Sequence, residues 1–215
     1  MPAIYIAPEV AAIRALYPGL ANPAFRAQPI RTQITAQADT LLDAYTRRDT
    51  RAAMQLFSWW PRAAGTRLDT LFDPPFAQAD AVQTIAREYG FADPDNLPDS
   101  PPDAAFEAAL DALLSGDIDA LTHSLDAGPH LATACSAYGH GATLPHYLGA
   151  NGVESHRQVV PENAPALAER LIAKGADPRA TAHMYGGGQT PLMLAQTSAH
   201  PARAGVAEAL CAALA

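Results

Sequence analysis

Lysine is almost missing from this chain: Lys174 is the only one in 215 residues. With 14 basic against 22 acidic residues and a formal charge of -8, no basic cluster is present to neutralise phosphates. Nucleic acid and anionic membrane surfaces are therefore excluded as expected partners. Two cysteines, Cys135 and Cys211, lie 76 positions apart. They form neither a disulfide framework nor a zinc motif, so inert thiols in a reducing compartment are expected. No window of 18 apolar residues occurs, so no transmembrane helix is expected. Met1 to Val10 lacks a basic region and carries Glu9, which argues against an ordinary signal peptide; a cytoplasmic location is expected. Histidine is absent from the first 122 residues: all seven fall between His123 and His200.

Alanine is plentiful, at 48 residues, while aromatics make up 7%. That balance predicts closely packed short helices rather than a β-sandwich. A chain of this length buries roughly 70% of its unfolded surface and needs no staples. Residues 1–34 contain five prolines and read as irregular, with a short helix over Glu9–Tyr17. Thr35–Trp60 reads as a helix or helix pair, punctuated by Arg47-Arg48-Asp49 and closed by Pro61. Phe57, Trp59 and Trp60 form an aromatic knot expected to pack in a core. Phe76–Tyr89 is a further helix. Three parts follow: an N-terminal helical extension (1–91), a Pro-rich linker (92–103) and a repeat-bearing part (104–215).

The repeat signal is carried by short segments. Gly188-Gln-Thr-Pro-Leu-Met-Leu-Ala195 opens one unit, and Leu171-Ile-Ala-Lys-Gly-Ala-Asp-Pro178 closes the one before. Gly141-Ala-Thr-Leu-Pro-His146 is the same opening with two positions exchanged. These segments resemble ankyrin repeats. The resemblance implies an all-α, ankyrin-like helix-pair solenoid of about three irregular repeats, preceded by the helical extension. Thr143 and Thr190 are 47 positions apart, against an ankyrin period of about 33. Most of the excess falls at 153–163, an insertion in a loop, where binding is common. The wider chain resembles bacterial ankyrin-type proteins with an N-terminal extension, through Thr84–Phe91, His140–Tyr147, Ala150–Glu154, Arg157-Gln158, Met184–Gly188 and Thr197–Pro201. Such proteins carry Ala-Ser-Trp after the Gly-Phe, where this chain has Ala-Asp-Pro.

The densest polar chemistry lies at 146–158. His146 belongs to the opening motif, and the resemblance implies that it bonds backbone and threonine. It is also a catalytic candidate. Asn151 either caps its helix or binds. Glu154, His156, Arg157 and Gln158 sit in the insertion. They are either a solvated loop or a pocket wall, with Glu154 and His156 as acid/base groups and Arg157 as a planar donor for an anion. Tyr147, Gln189 and His200 complete the binding candidates, with Tyr185 as an exposed aromatic beside Gly186-Gly187-Gly188. The histidine spacing gives no metal motif, and no metal or cofactor is expected.

Two functions follow. The first is a binding module that presents a concave face and enlarged loops to a protein partner. The alternative is a small-molecule-binding protein or cofactor-independent enzyme doing acid/base cyclisation, isomerisation or dehydration. Its pocket would be formed by the 153–163 insertion and inner-helix polar residues.

Overall fold

The computed structural model describes residues 2–215 and is mostly helical. Two compact units are present: Pro8–Pro102, and Asp103–Ala215 together with residues 2–7. Among the described residues no helix is long and apolar enough to cross a membrane.

The N-terminal unit holds α1 (Pro8–Leu16), α2 (Pro23–Arg26), α3 (Ile30–Thr46), α4 (Ala53–Trp59) and α5 (Gln78–Glu88). Val10, Ile13 and Leu16 place one apolar stripe of α1 inward. The stripe Ile30, Ile34, Ala38 and Leu41 of α3 packs on α5, which returns Ala81 and Ile85. The break between α3 and α4 falls at the charged punctuation. Arg48 takes a left-handed φ of 54°, and Asp49 accepts a hydrogen bond from the Arg51 N–H at 3.0 Å. The aromatic cluster differs from expectation. Trp60 is buried with Tyr45, Phe72 and Phe76, whereas Phe57 faces outward on α4.

The Pro-rich stretch is bound to this same unit. The carbonyls of Pro98 and Ser100 accept from the N–H groups of Arg31 and Ile30, both at 3.0 Å. A helix leaves its first N–H groups without partners, and here the proline segment supplies them. The Arg31 side chain adds bonds to the Leu97 carbonyl (2.6 Å) and the Asp99 carboxylate (2.7 Å).

The C-terminal unit begins at β1 (Ile4–Ile6) and continues with α6 (Ala104–Leu114), α7 (Ile118–Ala127), α8 (Leu144–Tyr147), β2 (Val159–Pro161), α9 (Ala164–Ala173), α10 (Pro191–Thr197), α11 (Ala199–Arg203) and α12 (Ala207–Ala213). Aspartates cap the first two of its helices. Asp103 Oδ1 accepts from the N–H groups of Ala105 and Phe106, and Asp117 Oδ1 from that of Ala120. One continuous core runs through the unit, with Leu110, Leu113, Leu121, Leu144, Leu167, Leu171 and Leu210 interleaved with Ala109, Ala164, Ala168 and Ala195. The alanines let the helices approach. At Gly149 the approach is closest, where a Cβ would lie 2.8 Å from Leu194 Cβ and 3.1 Å from the Ala195 nitrogen.

Residues 2–7 join this unit through strand pairing. β1 runs antiparallel to β2, with Tyr5 opposite Val160, and the Glu162 N–H donates to the Ala3 carbonyl at 2.9 Å. The 153–163 insertion is therefore an ordered turn and strand held by the first residues of the chain.

Candidate functional site

The insertion enters the core as a single turn of 3-10 helix at Ser155–Arg157. That turn carries Glu154 and Arg157 inward together: Glu154 is 0% and Arg157 4% exposed. Arg157 Nη1 lies 3.6 Å from Glu154 Oε1. Its guanidinium also takes both oxygens of Glu107 on α6, Nη1 donating to Oε1 at 3.4 Å and Nη2 to Oε2. This is the planar, two-pronged recognition that arginine makes with carboxylates. The Tyr138 ring lies under the guanidinium, 5.6 Å from its centre.

His140 approaches Glu154 from the 134–143 loop. Its Nδ1 accepts from the Ala142 N–H at 3.1 Å, which places the proton on Nε2. Nε2 sits 3.4 Å from Glu154 Oε1. Tyr147 Oη reaches the same oxygen at 3.5 Å. Burial pushes the Glu154 carboxyl up. The Arg157 guanidinium, with His140 and His156, more than reverses this and holds it at about 2. Burial likewise opposes the Arg157 charge, but Glu154 and Glu107 raise its pKa well above the ordinary value. Burial, followed by the Glu154 charge, raises the Tyr147 phenol well above its usual range. The cluster is thus ionised and buried, with its contacts gathered on Glu154 Oε1, while Glu154 Oε2 is buried without a hydrogen-bond partner. Its evident chemical effect is to tie the insertion to α6 and to the 134–143 loop.

The other expected residues separate into distinct places. Gln158 is buried and donates to the Val153 carbonyl at 2.7 Å, closing the turn locally. His156 is half-buried at the rim, where its charge acts on Glu154. His146 is fully buried at the start of α8. Its Nδ1 accepts from the Thr143 N–H at 3.1 Å and lies 2.8 Å from Thr143 Oγ1. Its Nε2 therefore bears the proton and donates to the Gln189 carbonyl at 3.1 Å. Burial lowers its pKa against these hydrogen bonds. His146 thus joins the loop–helix junctions that precede α8 and α10. Gln189 also pairs with Ala182 across the loop through both backbone groups. His200 stands edge-on to Tyr5, with ring centres 6.4 Å apart.

Among the described residues Tyr185 is the most exposed large apolar side chain, at 64%. Its Oη donates to Asn151 Oδ1 at 2.6 Å, and Asn151 Nδ2 donates to Thr197 Oγ1 at 3.3 Å. The backbone around it is left-handed for four residues: Tyr185 (φ 50°), then Gly186, Gly187 and Gly188. Glycine takes such angles freely and tyrosine does not, so Tyr185 is held at some cost in strain. Asn151 anchors this aromatic rather than ending its own helix. Met193, on the exposed side of α10, is also uncovered.

Sequence reasoning gave Glu107, Tyr138 and His140 no role in a site. Glu107 left a trace, because it shares a helical face with Leu110 and Leu114, where an acid is out of place. Tyr138 and His140 lie in an irregular loop and left none. Among the described residues, no group of three or more His, Cys, Asp or Glu side chains is gathered where a metal ion would sit. No protein-family model, curated protein or solved structure matches this chain.

Proposed function

We propose that the C-terminal unit is an ankyrin-like stack of helix pairs that acts as a protein-binding module, with Tyr185 as its principal contact. The repeated layout supports this reading. Short loops closed by the bridges Cys135–Thr143 and Ala182–Gln189 precede α8 and α10, and each of these helices starts after a threonine with proline in its first turn. The observation that carries the proposal is Tyr185: a large aromatic, mostly exposed, yet held in one place by Asn151 and a strained backbone. Aromatics ordered before association lose little entropy on binding and dominate interface energetics. The small-molecule or enzyme alternative needs Glu154, Arg157 and Gln158 to face a ligand. All three are buried instead, with Arg157 engaged by Glu154 and Glu107 and Gln158 by the Val153 carbonyl.

A photo-crosslinking residue placed at Tyr185 or Met193 in the native host tests the proposal, with exposed Leu68 of the other unit as control. The expected result is one protein captured from both test positions and absent at Leu68. Its affinity, remeasured with purified components, should fall at least about tenfold for Tyr185→Ala. Equal capture at Leu68, or unchanged affinity for Tyr185→Ala, would overturn the reading.

A further inference from the structure

The N-terminal unit contains a cavity of about 240 Å³ between the Leu16–Leu20 turn and α3. Leu16, Leu20 and Phe25 line it from the turn side and Ala36 from the helix. At Gly19 a Cβ would meet nothing within 4 Å, so the mouth is open there.

The polar side chains on its wall are engaged in hydrogen bonds within the protein. Tyr17 Oη donates to Gln55 Oε1 at 2.5 Å, and Gln55 in turn donates to buried Glu88. The Gln37 amide donates to the Gln33 carbonyl at 3.2 Å and to Tyr89 Oη at 2.9 Å. Thr40 Oγ1 donates to the Ala36 carbonyl at 3.1 Å. Every side-chain donor lining the cavity is therefore already engaged, and no charged side chain lines it. An anion would find no free side-chain donor there, and a cation no carboxylate. The same bonds fix the Tyr17 ring and the Gln37 side chain from behind, so the walls are formed in advance.

We propose that this cavity is a binding site for a small, uncharged, apolar ring compound. An apolar cavity of about 150 Å³ suffices for a benzene ring, so this one has room for a bicyclic ring. The binding is independent of the protein-binding role assigned to the other unit.

Indole, titrated into the full chain and followed by the methyl resonances of Leu16 and Leu20, tests this directly, with Leu210 methyls as internal control. Saturable shifts are expected at Leu16 and Leu20 and not at Leu210, in the roughly 0.1–1 mM range open to a fragment of this size. Ala36→Leu and Thr40→Leu each fill the cavity from α3 and should raise the dissociation constant at least about tenfold while the chain stays folded. Absence of saturable shifts, binding untouched by both variants, or equally tight binding of indole-3-carboxylate would overturn the proposal.

Discussion

Replacing Arg157 by methionine removes the one guanidinium shared by two buried or nearly buried carboxylates while keeping most of the side-chain volume. In the native protein Glu154 is held at about 2 against an ordinary 4.5, which corresponds to about 3 kcal/mol of stability at neutral pH. The folded-state value is the depressed one. That stability is therefore complete above about pH 5 and drains as pH falls toward 2. In Arg157→Met, Glu154 keeps His140 at 3.4 Å, the Tyr147 hydroxyl at 3.5 Å and the half-buried His156, while Glu107 loses its bidentate partner. Removing one member of a buried ion pair costs about 3–5 kcal/mol at neutral pH. The sign of the pH dependence should also reverse. Burial, no longer opposed by Arg157, raises the carboxyl above its unfolded value. The protonated form then stabilises the fold, and the variant gains stability relative to wild type as pH falls from about 7 to about 4.5. Glu154→Gln provides the complement: Arg157 and Glu107 still pair, and the acid loss of about 3 kcal/mol should be missing. Both tryptophans lie in the N-terminal unit, so fluorescence follows the wrong part. Amide hydrogen exchange at Tyr147, Leu167 and Leu171, read across pH, reports the right one. A loss under 1 kcal/mol, or an acid profile parallel to wild type in both variants, would refute the account of the cluster.

Two further predictions concern how the C-terminal unit is held together. Gly149→Ala drives a methyl group into Leu194 and the Ala195 backbone and should destabilise by about 1–3 kcal/mol, measured by urea unfolding with exchange detection; a neutral result would mean that α8 and α10 shift apart freely. Deleting residues 1–6 removes the partner strand of Val159–Pro161, so exchange protection at Val160 and Glu162 should fall while that at Leu121 is kept. Unchanged protection at Val160 would show that β2 stands without β1.

The helical class and several helix breaks were readable locally, although α2 and the start of α3 fall inside the stretch 1–34 expected to be irregular. Apolar spacing marked α1 and α5, and Asp103, Asp117 and Thr190 sit at their helix starts because a side-chain oxygen there satisfies nearby N–H groups. The arginine–arginine–aspartate break was also legible, since capping and a left-handed turn are decided within a few residues. The direction of the insertion's side chains was not. A polar run such as Glu154–Gln158 is equally compatible with water and with a buried cluster, and the choice depends on what meets it. Here Glu107, 50 positions earlier, faces Arg157, and His140 faces Glu154. Likewise nothing within Ile4–Ile6 specifies β2 as its partner, because strand pairing is a contact between distant segments.

The chain's abundance of alanine and its few aromatics sufficed to predict a helical protein. Local chemistry placed helices, caps and breaks, since each depends on the next few side chains. Tertiary structure decided where the charges went. A carboxylate leaves water only when a cation from elsewhere in the fold arrives with it, and Arg157 between Glu107 and Glu154 is that meeting.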